Sequence, residues 1–128
     1  MTHTTPSELA YLGDAVFELM VRDMLLREGV PFREMFRRAK GFVSAKAQAE
    51  MYRRIFSALS EEEQSVLKRG RNLHSLSRAK NADVTEYRHA TGLEALFGFL
   101  HHAGEISRLN EIFLMCVNKS GSNGFTGE

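Results

Sequence analysis

Leu9-Ala-Tyr-Leu-Gly-Asp-Ala-Val-Phe-Glu18 is the stretch on which the fold turns. It sets one carboxylate, Asp14, beside Gly13 inside an otherwise apolar helical run. Thr91-Gly-Leu-Glu-Ala-Leu-Phe-Gly98 repeats the arrangement further along the chain, with Glu94 one turn before Gly98. A glycine inside a helix costs roughly 1 kcal/mol relative to alanine, and an unpaired carboxylate is costly to bury. Two segments with both features predict two helices that cross closely and bring two acids to one place. Two facing oxygen ligands suit a magnesium ion. Spacing alone serves a second reading equally well, in which Asp14 and Glu94 are surface charges on amphipathic helices.

The rest of the chain supports a helical setting. With 128 residues, 43% of them hydrophobic and nine phenylalanines, the chain is long enough for one domain with one core. We place that domain at residues 1–119 and read the glycine-rich, polar stretch 120–128 as a flexible tail. Two prolines and long stretches without turn signals favour helices over strands, so the expected class is all-α. The single cysteine, Cys116, excludes an internal disulfide and a cysteine-rich zinc site, and it reads as a small core residue. The apolar runs are too short to span a bilayer. Residues 1–6 lack the basic start and apolar centre of a signal peptide, which points to the cytoplasm.

Taken in order, Thr5-Pro-Ser-Glu8 is a capping box that starts a helix expected to run to Glu28, with Gly29 as its left-handed stop. Its apolar stripe is wide, as befits a central helix or one that also meets a partner subunit. A short helix over 32–40 should follow, with Phe32, Met35, Phe36 and Ala39 inward and Gly41 closing it. Ser44 then caps a helix over 45–58, and Ser60-Glu-Glu-Glu63 caps another that weakens at Gly70. Residues 70–82 have no periodic apolar face and read as a basic loop. Two last helices are expected over 84–103 and 105–118. The first of these should turn Val84, Tyr87, Leu93, Leu96, Phe97 and Leu100 inward, and the second Ile106, Leu109, Ile112, Phe113, Cys116 and Val117.

Net charge is only +1, so what matters is where the charge lies. Residues 68–88 hold Lys68, Arg69, Arg71, Arg78, Lys80 and Arg88 against Asp83 and Glu86 alone. A charge run is usually a solvated face. Cations joined by the amides Asn72 and Asn81 also suit phosphates and 2′-hydroxyls of duplex RNA, which is read by shape across its minor groove. His74, His89, His101 and His102 fit no standard zinc spacing and read as loop or surface residues.

Leu9-Ala-Tyr-Leu-Gly-Asp-Ala-Val-Phe17 resembles the ribonuclease III signature, and Leu93-Glu-Ala-Leu-Phe-Gly98 resembles that family's second catalytic helix. Three further stretches resemble its mini-ribonuclease III branch, which lacks a double-stranded-RNA-binding domain. They are Val43-Ser-Ala-Lys-Ala-Gln-Ala-Glu50, Leu67-Lys-Arg-Gly-Arg-Asn72 and Lys80-Asn-Ala-Asp-Val-Thr-Glu-Tyr-Arg88. The resemblance implies a helical endonuclease domain forming a two-fold dimer, with Asp14 and Glu94 as catalytic carboxylates that hold Mg²⁺. It implies cleavage of double-stranded RNA to leave 5′-phosphate and 3′-hydroxyl ends. The implied substrate is precursor large-subunit (23S) ribosomal RNA, with a large-subunit ribosomal protein as possible helper.

Two departures bear on that chemistry. Ordinary ribonuclease III carries acids where this chain has Ala10 and Thr91, so one magnesium with several waters is expected. Thr91 can offer its hydroxyl to a metal-bound water. Glu18 lies one turn after Asp14 and serves either the site or Arg22. Glu50 is a further candidate, from the third helix. Lys46, Lys68, Arg69, Arg71, Asn72, Arg78, Lys80, Asn81 and Arg88 are the candidate RNA contacts. The missing acids also motivate an alternative, a catalytically inactive RNA-binding ribosome-assembly factor of the same fold.

Overall fold

Thr5 opens the first helix as the sequence predicts. Its hydroxyl accepts from the Glu8 amide (3.1 Å) while the Glu8 carboxylate accepts from the Thr5 amide (3.0 Å). This is a computed structural model, and it describes residues 4–73 and 84–118. Among the described residues six helices follow one another: α1 (Pro6–Arg27), α2 (Phe32–Val43), α3 (Ala45–Ile55), α4 (Glu61–Arg71), α5 (Val84–His102) and α6 (Ile106–Val117). A single 3-10 turn at Phe56–Ala58 extends α3. Ser44 and Ser60 cap α3 and α4, the latter through a second capping box with Glu63. Caps of this kind are each worth about 1 kcal/mol. Gly29 and Gly104 hold φ of 76° and end α1 and α5, a conformation that glycine alone adopts without steric cost. The all-α expectation holds for every described element.

The core lies where α5 runs through the middle of the bundle, packed on α1, α3 and α4. Phe17 of α1, Phe97 of α5 and Phe113 of α6 meet edge to face, with Phe17 and Phe97 ring centroids 5.1 Å apart. Val21, Leu25, Ile55, Leu67, Leu93, Leu96 and Ile112 fill the space around them. Cys116 is buried there too, and burial pushes its thiol up to about 12, which suits a core residue rather than a nucleophile. Arg108 of α6 clamps the start of α4. It donates to both Glu63 oxygens (2.8 and 2.9 Å) and to the Ala58 carbonyl (3.0 Å). That bidentate pair holds the nearly buried Glu63 carboxyl below its usual range.

Glycine fixes how near the helices come. A Cβ on Gly13 would lie 1.6 Å from the Glu94 carbonyl oxygen, and one on Gly98 would lie 1.9 Å from that of Leu9. Backbone therefore rests on backbone where α1 crosses α5. Gly92 does the same for α4, since its Cβ would fall 2.7 Å from the Leu67 carbonyl oxygen. These three positions require the absence of a side chain.

Several expectations are corrected. Gly41 does not end α2, which continues to Val43. Gly70 does not end α4 either, because it packs on Gly92 and Ala95 of α5 and the helix runs to Arg71. Phe32 and Phe36 are not inward. They are 73% and 69% exposed and pack edge to face on each other. Periodicity marks the apolar face of α2 but does not say what covers it. Tyr87 and Ile106 are exposed as well. The remainder of the basic loop and the tail after Asn118 lie outside the described residues.

Candidate active site

The candidate site is built on the Gly13–Glu94 contact. Asp14 follows the glycine of α1, and Glu94 owns the carbonyl against which that glycine rests. The two acids thus share one cleft of about 310 Å³, lined also by Ser7, Ala10, Tyr11, Leu73, Tyr87, Arg88 and Thr91. Asp14 stands at the exposed mouth and Glu94 deeper, half buried. Burial, then the negative charge and contact of Asp14, push the Glu94 carboxyl up to about 8. A hydrogen bond from Gln48 acts in the opposite direction. Two carboxyls in this relation repel each other when both are ionised, and a dication between them would remove that repulsion.

Each sequence candidate now has a place. Thr91 lines the cleft, and its hydroxyl donates to the Tyr87 carbonyl (3.0 Å). Ala10 is buried in the cleft wall. Glu18 is paired with Arg22 at 2.7 Å and lies on the α2 side of α1, away from this cleft. Glu50 is exposed on α3 and does not line the cleft. Among the described residues, no group of three or more histidine, cysteine or acidic side chains is placed to hold a metal ion. Asp14 and Glu94 are the pair that converges.

The RNA-contact candidates divide. Arg88 enters the cleft itself. Arg71 donates to the Tyr52 hydroxyl (3.1 Å) and to Asn72 (3.3 Å), and Tyr52 also packs edge to face on His89. Lys68, Arg69 and Asn72 line a shallow hollow on the outer side of α4, with the Lys68 ammonium 5.6 Å from the Phe56 ring centre. Lys46 is exposed near the start of α3. Arg78, Lys80 and Asn81 lie outside the described residues, as does His74.

Residues 7–105 match the Ribonuclease III domain family. The chain is 46% identical to Mini-ribonuclease 3 of Enterococcus faecalis over 116 residues, covering 88% of each protein. It is 47% identical to Mini-ribonuclease 3 of Brevibacillus brevis over 110 residues, covering 85% of this chain and 82% of that one. The chain belongs to the ribonuclease III family, in its mini-ribonuclease III branch. The crystal structure of protein FN1578 from Fusobacterium nucleatum has a similar fold, with a TM-score of 0.78 at 31% identity over 91% of this chain and 93% of that one. As a member of this family the chain is an endoribonuclease.

Two residues of α5 and α3 stand differently from what the sequence suggests. Tyr87, expected in the core, is exposed and lines the cleft. On α3 the buried polar residue is Gln48, whereas the sequence candidate Glu50 is exposed. Its signal was available: Gln48 falls in the apolar stripe of α3 with Ala45, Ala49, Tyr52 and Ile55, and a polar residue there needs a partner.

Proposed function

We propose that this ribonuclease cuts double-stranded RNA with one Mg²⁺ held by Asp14 and Glu94. The observation that carries the reading is the convergence of these two carboxyls in one cleft, with Glu94 raised to about 8 by burial and by Asp14. An all-oxygen pair of this kind fits a hard dication whose remaining positions are filled by water. When bound, such an ion generates a nucleophile from water and offsets the charge growing at phosphorus and on the leaving oxygen. Around it, Arg88 is placed to draw a phosphate into the cleft, and Ala10 leaves room on the α1 side. Thr91 offers its hydroxyl oxygen to a neighbouring water. The products carry 5′-phosphate and 3′-hydroxyl ends.

The wider assignments rest on this reading. Residues 1–119 form the catalytic domain, with 120–128 as a tail. The exposed apolar face of Leu19, Leu26, Phe32 and Phe36 supports a two-fold homodimer. A dimer of this kind would set two clefts against opposite strands of one duplex. Arg71 and Asn72, with Lys46, Lys68 and Arg69 outside the cleft, extend the contact to phosphates, together with Arg78, Lys80 and Asn81 of the basic segment. Affinity obtained this way falls steeply with salt. The substrate is precursor large-subunit (23S) ribosomal RNA in the cytoplasm, assisted by a large-subunit ribosomal protein. No described helix is long and apolar enough to cross a membrane.

Cleavage of end-labelled duplex RNA tests the reading. Asp14→Asn and Glu94→Gln keep size and remove ligand charge, so both variants should bind the duplex and lose at least about 100-fold in rate. Binding without cutting by the unaltered protein, on ribosomal precursor too, would instead favour the inactive assembly-factor alternative.

A further inference from the structure

Arg22, Arg27, Arg37 and Arg108 each pair with a carboxylate. Arg71 is held instead by two neutral oxygens. Its Nη1 donates to the Tyr52 hydroxyl (3.1 Å) and its Nε to the Asn72 side-chain carbonyl (3.3 Å). Neither bond neutralises the guanidinium, and the two together fix the plane of its fork. They use two of its five N–H groups. The backbone of Arg71 rests on α5, since a Cβ on Gly92 would fall 3.2 Å from its amide nitrogen. Thr91, next to that glycine, and Leu73, two residues after Arg71, line the cleft of Asp14 and Glu94. We propose that Tyr52 is a positioning residue for RNA binding, whose hydroxyl holds the Arg71 guanidinium beside the cleft as a fixed cation for a backbone phosphate of the duplex.

Tyr52 is suited to holding rather than touching. It is 4% exposed, too buried to meet RNA itself. Its ring packs edge to face on His89 (centroids 4.3 Å) and stacks on Phe56 (6.0 Å). His89 is anchored in turn, its Nδ1–H donating to the Thr85 carbonyl (2.7 Å). Gly92 leaves room for the ring, because a Cβ there would lie 3.1 Å from Tyr52 Cε2. The phenol oxygen is thus fixed from α3 and α5 at the point where α4 ends. Burial raises the phenol above its ordinary value, so the hydroxyl stays neutral and Arg71 keeps its charge. A phenylalanine would fill the same space, and what the hydroxyl adds is the acceptor. An arginine already held in its bound geometry loses less freedom when a phosphate arrives, and its planar fork matches phosphate oxygens in pairs.

The inference rests on the reading of Arg71 as an RNA contact, and its test keeps the two apart. Binding of fluorescent duplex RNA is measured without divalent metal for the unaltered chain, Tyr52→Phe, Arg71→Met and the double variant. Arg71→Met should weaken binding about 10-fold, and Tyr52→Phe about 3-fold or more. In the Arg71→Met background, Tyr52→Phe should add less than about 1.5-fold, whereas a general loosening of the fold would weaken both backgrounds alike. In cleavage assays the loss from Tyr52→Phe should appear in KM and not in kcat. Arg71→Lys carries the test should Tyr52→Phe fold poorly. It keeps the charge without the planar fork, and should bind about 3-fold or more weakly. Suppose Arg71→Met weakens binding while Tyr52→Phe has no effect, or has the same effect in both backgrounds, or Arg71→Lys binds like the unaltered chain. The positioning role is then wrong and the RNA reading survives. If Arg71→Met binds duplex RNA as tightly as the unaltered chain, the RNA contact itself fails, and the positioning role with it.

Discussion

The helix α1 has two apolar faces that meet different fates. One, around Leu9, Gly13 and Phe17, is sealed against α5 with backbone touching backbone. The other, with Leu19 and Leu26, continues onto Phe32 and Phe36 of α2 and is open. Hydrophobicity does not distinguish them, since both faces carry large apolar side chains. Glycine does. A position with no side chain can be satisfied only by a neighbour that comes within backbone distance, so it marks a contact made inside the chain. The exposed Phe32–Phe36 pair is the face on which the proposed dimer rests.

The strongest way to break this contrast is Gly13→Ala. Its methyl would sit 1.6 Å from the Glu94 carbonyl oxygen, and backbone cannot yield as a flexible side chain does. The cost should exceed about 4 kcal/mol, a fall in melting temperature of ~10 °C or more. Thermal unfolding followed by circular dichroism would show it. A variant that melts within about two degrees of the unaltered chain would mean that the helices separate at little cost.

A smaller effect arises from the charge held at the sealed face. Without metal, the folded chain keeps a proton on Glu94 up to about pH 8, whereas the unfolded chain releases it near the ordinary glutamate value of 4.5. The folded state therefore binds more protons between those values, and stability falls as pH rises through that window. The loss is on the order of 5 kcal/mol by pH 9. Glu94→Gln should flatten this slope and make the metal-free protein more stable than the unaltered chain at high pH. Denaturant melts at pH 5 and pH 9 in a chelator would test it, and an unchanged slope in Glu94→Gln would point to other groups.

The open face should respond least in stability and most in assembly. Replacing Phe32 and Phe36 together by serine should alter the stability of the single chain by less than about 1 kcal/mol, because both rings are already in water. Sedimentation should meanwhile show one chain where the unaltered protein shows two. Loss of helical signal in this variant would place the pair in the core after all.

Much of this was legible in the residues. Thr5, Ser44 and Ser60 announce their caps, Gly29 and Gly104 their stops, and the Gly13–Asp14 and Glu94–Gly98 pairs the crossing and the acids. Gly41 and Gly70 misled because a glycine in a helix has more than one cause: Gly70 gives room to α5, and Gly41 sits on an open surface where nothing meets it. Glu50 is a candidate by its charge alone, and the structure sets it on the exposed side of α3, outside the cleft. Phe32, Phe36 and Tyr87 misled because periodicity reports a face and not its covering. In each case the missing information is which helix lies opposite, and that is long-range.

The most direct measurement is X-ray diffraction from crystals soaked in Mn²⁺, recorded near the manganese edge. The expected result is one anomalous peak between the carboxylates of Asp14 and Glu94, absent from Glu94→Gln crystals. A peak elsewhere, or none at the crossing of α1 and α5, would contradict the assignment of these two acids as one metal site.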